Sequence, residues 1–222
     1  MLIMGIDDAG RGPLIGPMFL AGVLMTKDQE KSLKSAGITD SKLLTHPTRI
    51  KLSRVIKEKS ISNFVVMSTP QEIDSSIKKG TNLNTLEAQK TAAIINELNI
   101  KKENIKVIVD CPSVNIKAWT NTLMGYIDYL DNLEISCEHK ADFNHACAGA
   151  ASILAKVARE EEVEKLNKKY GDFGSGYPSD PKTKDFLRKR GQELSNSGIF
   201  RKTWATWKEI YPEKEQMTLK GF

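Results

Sequence analysis

Residues 105–110, with the sequence Ile-Lys-Val-Ile-Val-Asp, constrain the fold more than any other segment of the chain. The segment is short, rich in β-branched residues and closed by an acid, which is typical of a buried strand. We predict four further strands, at residues 2–7, 17–24, 61–68 and 133–139. Because helical patterns lie between and after these strands, the sequence favours the α/β class with a mixed sheet.

Helical patterns cover much of the remaining chain. The predicted helices lie at residues 28–36, 47–58, 70–79, 84–98, 117–130, 146–166, 182–194 and 201–210. Residues 170–181 are dense in Gly and Pro, so they form an irregular loop and a candidate boundary. We expect a single domain over residues 1–212, with a core at about 1–168 and a helical C-terminal part at about 182–212, followed by a tail at 213–222.

The composition is that of an ordinary globular chain, because 40% of the 222 residues are hydrophobic and 27% are charged. No apolar run approaches the roughly 18 residues that a membrane span needs, and the N-terminus is too short and uncharged for a signal peptide. With three cysteines and no secretory signal, a disulfide framework is not expected. We expect a cytoplasmic monomer, and the net charge of +5 weakly indicates a polyanionic partner.

Acidic residues close or follow three of the predicted strands. Asp7 closes the first strand, Asp110 closes the strand at 105–110, and Asp142 follows the last strand. Carboxylates from separate strand ends suit Mg²⁺, which prefers hard oxygen ligands, and two such ions ~3.5–4 Å apart can hydrolyse a phosphodiester. The alternative stays open that each acid caps a helix or anchors a loop, since an Asp before Cys111-Pro112 suits a turn.

The segment Gly10-Arg11-Gly12 lies directly after the first predicted strand. Glycines allow the backbone to approach a ligand closely, so that its amides can bind a phosphate or a sugar hydroxyl. Arg11 would add positive charge, and Pro13 and Pro17 would stiffen the loop. A plain tight turn accounts for the glycines alone but not for the whole cluster.

Several motifs, in the same order, resemble type 2 ribonuclease H in its archaeal and eukaryotic branch, and they extend along nearly the whole chain. They are residues 5–13 with Asp7, Asp8 and the Gly-Arg-Gly loop, Asp40-Ser41-Lys42, Asn82-Leu83-Asn84 with Leu86-Glu87, Val109-Asp110, His139-Lys140-Ala141-Asp142 with residues 150–157, and residues 174–181. The resemblance implies an RNase H-like mixed sheet flanked by helices, with a helical C-terminal part.

The resemblance also implies a chemistry. The carboxylates that would hold two Mg²⁺ or Mn²⁺ ions are Asp7, Asp8, Asp110 and Asp142. The implied reaction cleaves the RNA strand of RNA–DNA hybrids, or incises duplex DNA at an embedded ribonucleotide, and leaves a 3′-hydroxyl and a 5′-phosphate. The implied roles are primer removal and ribonucleotide excision repair.

Substrate contacts follow from the same resemblance. Gly10, Arg11 and Gly12 would read the 2′-hydroxyl, the group that separates RNA from DNA. Tyr177 would stack on the sugar of the next deoxynucleotide. The resemblance favours a phosphate contact for Lys42, and Ser152, near the start of the helix predicted at 146–166, is a further candidate donor to a phosphate.

Two positions depart from the family pattern. Asp8 stands where the family usually has Glu, so the acidic arm is one methylene shorter and the metal geometry must adjust. Because a displacement of about 1 Å can lower a catalytic rate around 100-fold, we expect an altered rate or metal preference. Gly149 stands where Ser is more usual, and we expect an effect on packing only.

Two further patterns suggest binding sites. Cys137, His139, His145 and Cys147 suggest zinc at first sight, but their spacing does not fit the usual zinc patterns, so we favour packing for Cys147. In the tail, Gln216, Leu219 and Phe222 resemble the motif that docks on the sliding clamp PCNA. The alternative for the tail is a frayed end.

Two other functions stay open from the sequence. One is another RNase H-like nuclease that acts on DNA, such as a junction resolvase or an integrase-type enzyme. The other is a hybrid-binding module whose altered acidic pair no longer supports turnover. Cleavage of DNA without ribose distinguishes the first, and absence of cleavage with either Mg²⁺ or Mn²⁺ distinguishes the second.

Overall fold

Five strands form one sheet in the computed structural model, which describes residues 1–38 and 44–212. Within these residues the strands are β1 (Leu2–Ala9), β2 (Met18–Thr26), β3 (Ser62–Ser68), β4 (Ile105–Asp110) and β5 (Leu133–Glu138). The strand order is β3-β2-β1-β4-β5. β2 runs antiparallel to β1 and β3, whereas β4 runs parallel to β1 and β5. The predicted mixed sheet is therefore confirmed.

Helices cover the sheet and form the C-terminal part. They are α1 (Lys27–Ser35), α2 (His46–Lys59), α3 (Pro70–Lys78), α4 (Leu83–Leu98), α5 (Ile116–Met124), α6 (Ala141–Asn144), α7 (Ala146–Tyr170), α8 (Pro181–Arg190) and α9 (Ala205–Ile210). No helix among the described residues combines the length and the apolar character needed to cross a membrane.

Several helices differ from the sequence prediction. The helix predicted at 117–130 ends at Met124, because Asn96 of α4 hydrogen-bonds Tyr126 and Asp128 through their backbone groups, at 3.2 and 3.0 Å. The helix predicted at 201–210 begins only at Ala205, since a turn occupies residues 201–204. The short helix α6 was not predicted.

The sheet is covered on both faces, as its alternating side chains require. Ile3 and Ala9 of β1 pack with α7 and its neighbours, whereas Met4 and Ile6 pack with α4 on the opposite face. α7 approaches β1 closely at Gly5, where an added Cβ would lie 2.1 Å from the carbonyl carbon of Cys147. Because of this approach, α7 lies next to the end of β1 that carries Asp7 and Asp8.

A third apolar cluster joins the C-terminal part to the loop after β1. Leu14 and Ile15 of that loop pack with Phe173, Phe186 and Trp207. Two amides of the loop, at Leu14 and Ile15, donate to the carbonyl of Gly176 at 2.8 and 3.2 Å. The loop is therefore enclosed by C-terminal residues distant in the sequence.

Candidate active site

Parallel strands bring the predicted carboxylates to one edge of the sheet. Ile6 of β1 pairs with Val109 of β4, so Asp7 and Asp110 follow directly on neighbouring strands. Asp142 lies in α6, after β5, and α6 is tied to β4 because the amide of Ala141 donates to Oδ1 of Asp110 at 2.8 Å. The side chains of Asp7 and Asp142 are only 5% and 6% exposed.

Asp7 and Asp8 have different surroundings although they are consecutive, since neighbouring residues of a strand point to opposite faces. Asp7 accepts a hydrogen bond from the hydroxyl of Ser152 in α7. Asp8 lies on the side of α4. The charge of Arg11 lowers the pKa of Asp8, and the charge of Asp8 raises the pKa of Glu87. The backbone amide of Asp8 also donates to Oδ1 of Asp7 at 2.7 Å.

Burial and mutual repulsion raise the pKa values of both β1 acids. Burial is the main cause for Asp7, whose pKa lies well above its usual value, and the charge of Asp8 raises it further. Burial also raises the pKa of Asp8 to about 6, although Arg11 opposes the shift, and Asp110 adds to it. Burial and the neighbouring carboxylates therefore disfavour the charged forms of Asp7 and Asp8 in the protein as it stands.

Carboxylates brought together in this way fit a divalent cation, which prefers oxygen donors. The charges of Asp110 and Asp142 both act on Asp7 and on Asp8, so the four acids share one region. Among the described residues, no three metal-donating side chains are already arranged around one point.

Glu87 of α4 is a buried acid beside this region, with 1% of its surface exposed. Burial and the charge of Asp8 raise its pKa to about 8. Its Oε2 accepts a hydrogen bond from Arg11, whose Nη2 donates to Oδ1 of Asn84 at 2.6 Å. The guanidinium of Arg11 is therefore held by two side chains of α4, Glu87 and Asn84.

The Gly-Arg-Gly loop and Tyr177 line one cleft of about 380 Å³. Its lining consists of Asp8, Ala9, Gly10, Arg11, Gly12, Arg49, Lys156, Arg159, Glu160 and Tyr177. Gly10 has φ of 86°, and a Cβ on it would lie 2.8 Å from Cδ of Arg159. Arg11 and Arg49 pair with Glu87 and Glu160, whereas Lys156 and Arg159 add further positive charge to the lining. A cationic lining of this kind suits a phosphate backbone.

Tyr177 is fixed on both sides within this cleft. A Cβ on Gly12 would lie 3.3 Å from Cε1 of Tyr177, so the glycine allows the ring to lie against the loop. The guanidinium of Arg159 lies 4.9 Å from the centre of the ring and donates to the carbonyl of Ser175 at 2.7 Å. A larger groove of about 480 Å³, between α3 and residues 195–202, contains none of the predicted site residues.

Of the remaining predicted residues, Ser152 lies within the described residues and the others lie outside them. Ser152 is fully buried, and its hydroxyl serves Asp7, so a contact with substrate stays a prediction. Lys42 lies outside the described residues, as do the tail residues Gln216, Leu219 and Phe222.

The four residues of the suggested zinc pattern have separate contacts. The ring of His145 pairs with Glu138 at 2.5 Å, and His139 Nδ1 lies 3.1 Å from the carbonyl oxygen of Cys111. Cys147 is buried in the core cluster on the α7 side of the sheet, whereas Cys137 packs against the cluster on the opposite side. This placement agrees with the packing role that we favoured for Cys147 from the sequence.

Sequence reasoning did not identify two buried residues of the site. Glu87 was noted only as part of a motif, although an acid among the buried positions of α4 is a usable signal. Arg201 has no such signal, because an arginine in a basic C-terminal stretch is ordinarily exposed. The structure shows it fully buried against the Gly-Arg-Gly loop.

Comparison of the sequence with known proteins gives a consistent result. A sequence model of the family described as Ribonuclease HII matches residues 4–207. The chain is 38% identical to Ribonuclease HII of Pyrococcus horikoshii over all of this chain and 99% of that protein. It is 41% identical to Ribonuclease HII of Pyrococcus furiosus, over all of this chain and 98% of that protein.

Solved structures agree with the fold. The ribonuclease H2 of Pyrococcus horikoshii OT3 superposes with a TM-score of 0.83 at 38% identity, covering 95% of this chain and 97% of that one. The RNase HII in a PCNA:RNase HII complex from Archaeoglobus fulgidus gives 0.80 at 33% identity, over 96% and 98%. Bst-RNase HIII, in complex with Mn²⁺, gives 0.74 at 19% identity, over 95% and 69%, which shows the fold alone.

Proposed function

This chain belongs to the ribonuclease HII family, and from that premise we propose that it cleaves the RNA strand of RNA–DNA hybrids and incises duplex DNA at embedded ribonucleotides. As a member it is a type 2 ribonuclease H, a hydrolase and endonuclease, so the resemblance seen in the motifs is confirmed. One observation carries the finer proposal. The Gly10–Gly12 loop lines the same cleft as Asp8 and Tyr177.

The family depends on divalent metal ions, and the residues present fit such ions. Asp7, Asp8, Asp110 and Asp142 offer oxygen donors that lie close enough for the charges of Asp110 and Asp142 to raise the pKa values of Asp7 and Asp8. We assign these four carboxylates to two Mg²⁺ or Mn²⁺ ions. Such ions, when bound, supply Lewis acidity at the phosphate and an activated water. Hydrolysis at the 3′ oxygen then leaves a 3′-hydroxyl and a 5′-phosphate.

The chain's own residues bind and orient the duplex. Lys156 and Arg159 line the cleft as cations for phosphate groups. The backbone of Gly10 to Gly12 is the reader of the 2′-hydroxyl, because the Arg11 guanidinium is already held by Glu87 and Asn84. Tyr177, held between Gly12 and Arg159, presents its ring to the neighbouring sugar. Ser152 orients Asp7.

The proposed roles are primer removal and ribonucleotide excision repair, carried out by a cytoplasmic monomer. Residues 1–212 form the catalytic domain in this proposal. Its core spans about 1–168, and its C-terminal part, about 182–212, encloses the loop after β1. Residues 213–222 are the tail.

An incision assay tests this function against its two alternatives. The substrates are two duplexes of identical sequence, one all-DNA and one with a single ribonucleotide, each incubated with Mg²⁺ and with Mn²⁺. We expect incision only of the ribonucleotide duplex, with a 3′-hydroxyl on one product and a 5′-phosphate on the other. Cleavage of the all-DNA duplex would support a DNA-directed RNase H-like nuclease instead, and binding without cleavage in either ion would support a hybrid-binding module.

The tail is proposed to dock on the sliding clamp PCNA through Gln216, Leu219 and Phe222. Support comes from the tail motif and from the RNase HII of Archaeoglobus fulgidus, which has been solved with PCNA. Binding of the full chain to immobilised clamp tests it. Phe222→Ala should weaken binding at least about tenfold, as loss of an aromatic anchor does, and Met217→Ala should not. Equal binding by all three proteins would contradict the proposal.

A further inference from the structure

Arg201 is a buried cation whose side-chain acceptors are all neutral. It is 0% exposed, and its Nε donates to the carbonyl of Gly16 at 3.0 Å. Its Nη1 donates to the carbonyl of Arg11 at 2.7 Å, and its Nη2 to that of Gly10 at 2.6 Å. Burial of a charge without an ion-paired hydrogen bond is unfavourable, and the three carbonyl acceptors offset that cost only in part.

The three contacts fix the direction of the loop backbone. In a trans peptide, the carbonyl and the following amide point in opposite directions, and the described residues contain no cis peptide. Because the carbonyls of Gly10 and Arg11 face Arg201, the amides of Arg11 and Gly12 face the opposite side. These residues line the cleft that also contains Asp8 and Tyr177.

A neighbouring tryptophan extends this hold by one residue. Nε1 of Trp204 donates to the carbonyl of Gly12 at 3.2 Å, so the carbonyls of three consecutive loop residues are bound by the segment 201–204. The guanidinium of Arg201 lies 5.0 Å from the centre of the Trp204 ring. The two donors therefore form one rigid unit behind the loop.

The segment that carries both donors is itself anchored. Asp74 of α3 accepts from the amides of Lys202 and Thr203, at 2.7 and 3.0 Å, and from the hydroxyl of Thr203 at 2.6 Å. The amide of Arg201 donates to the carbonyl of Leu14 at 2.9 Å. The position of the guanidinium is therefore set before any ligand binds.

We propose that Arg201 is a positioning residue for ribose recognition, which holds the Gly10–Gly12 carbonyls away from the cleft so that the loop amides face the 2′-hydroxyl. The inference rests on the proposed function, since that function gives the loop its role as the reader of the sugar. Arg201 itself does not contact the substrate. It determines selectivity for ribose through the loop, with Trp204 as its partner.

Binding selectivity tests the proposal. Affinity is measured for two fluorescent duplexes that differ by a single 2′-hydroxyl, with Ca²⁺ in place of the catalytic ion. The selectivity ratio is the dissociation constant of the all-DNA duplex divided by that of the ribonucleotide duplex, and it is compared between wild type and variants. Arg201→Lys should lower this ratio about tenfold and Trp204→Phe about threefold, in line with losing charged and neutral hydrogen bonds respectively. Amide exchange at residues 11 and 12 should be faster in both variants.

Tyr211→Phe is the matched control. It removes a partly buried hydrogen bond of the C-terminal part, from the hydroxyl of Tyr211 to the carbonyl of Leu187 at 2.6 Å, and this bond does not involve the loop. It should lower the unfolding temperature and leave the ratio unchanged. Where Arg201→Lys fails to fold, Trp204→Phe decides, because it keeps an aromatic ring at this position and removes the Nε1–H donor.

The outcomes separate the two levels of inference. A wild-type protein that neither cuts the ribonucleotide duplex nor prefers it would overturn the proposed function, and the role of Arg201 with it. A wild-type protein with a clear preference, and variants that lose stability as Tyr211→Phe does but keep the ratio, would overturn the positioning role alone. A reduced ratio with faster amide exchange, absent in the control, supports it.

Discussion

Asp8 combines a metal-binding role, as proposed, with an unfavourable position in the metal-free protein. Burial raises its pKa to about 6, and the charge of Asp110 contributes, whereas Arg11 partly compensates. A carboxyl group with a raised pKa stabilises the folded state only while it is protonated. Its charged form is therefore a source of instability above about pH 6, which a bound cation would remove.

Asp8→Asn should stabilise the metal-free protein at neutral pH. The pKa of Asp8 rises from 3.8 to about 6 on folding, so the relief has an upper bound of about 3 kcal/mol. The gain should be full above about pH 6 and disappear below about pH 4, where the wild-type carboxyl is protonated in both states. Thermal unfolding in EDTA measures it, with the exposed Asp131→Asn as control. Equal stability at pH 7 would contradict this account of Asp8.

Asp8→Glu lengthens the acidic arm by one methylene, to the length that the motif resemblance implies for this position. If the shorter arm displaces a metal by a fraction of an ångström, the longer one should raise kcat/KM for the single-ribonucleotide duplex by about 10-fold or more. The gain should differ between Mg²⁺ and Mn²⁺, because Mg²⁺ requires stricter octahedral geometry. A fall in kcat/KM with both ions would indicate that the surroundings, including Glu87, are fitted to aspartate.

At the scale of elements, the site depends on how closely α7 lies against β1. Their contact is set at Gly5, where the backbone of Cys147 leaves no room for a side chain. Ser152 lies further along the same helix and reaches Asp7 because of this approach. The position of Ser152 beside Asp7 thus depends on Gly5, which has no side chain to separate α7 from β1.

Gly5→Ala should therefore separate α7 from β1. The added methyl would lie 2.1 Å from the Cys147 carbonyl carbon, and overpacking of this kind costs about 1–3 kcal/mol or more. We expect a lower unfolding temperature and weaker cleavage, both measured on purified protein. Gly125→Ala is the control, since its nearest neighbour would be a carbonyl oxygen at 3.5 Å. Similar losses in the two variants would contradict the special role of Gly5.

Element patterns in the sequence predicted most of this architecture. The five strands follow from β-branched runs such as residues 105–110, and the acids at their ends follow from the same runs. The end of α5 at Met124 did not follow, because the hydrogen bonds of Asn96 to the next turn come from a distant helix. The burial of Arg201 did not follow either, since its acceptors lie almost two hundred residues away along the chain.

At the scale of the whole molecule, the C-terminal part completes the site instead of only extending the core. The loop after β1 lies between Gly176 on one side and Arg201 on the other. Asp74 of α3 links the Arg201 segment back to the sheet layer. Residues from the C-terminal part therefore bind the backbone of the loop that follows the first strand.

Cleavage and binding by Asp110→Asn give the most direct measurement of the central claim, that carboxylates from different strand ends form one metal-dependent centre. The change keeps size and can keep the hydrogen bond from the Ala141 amide, but it removes one negative charge. With the single-ribonucleotide duplex and Mg²⁺ or Mn²⁺, we predict a loss of cleavage of at least about 100-fold, and duplex binding close to that of wild type and of Asp131→Asn. Cleavage near the wild-type rate would remove Asp110 from the centre and contradict the account.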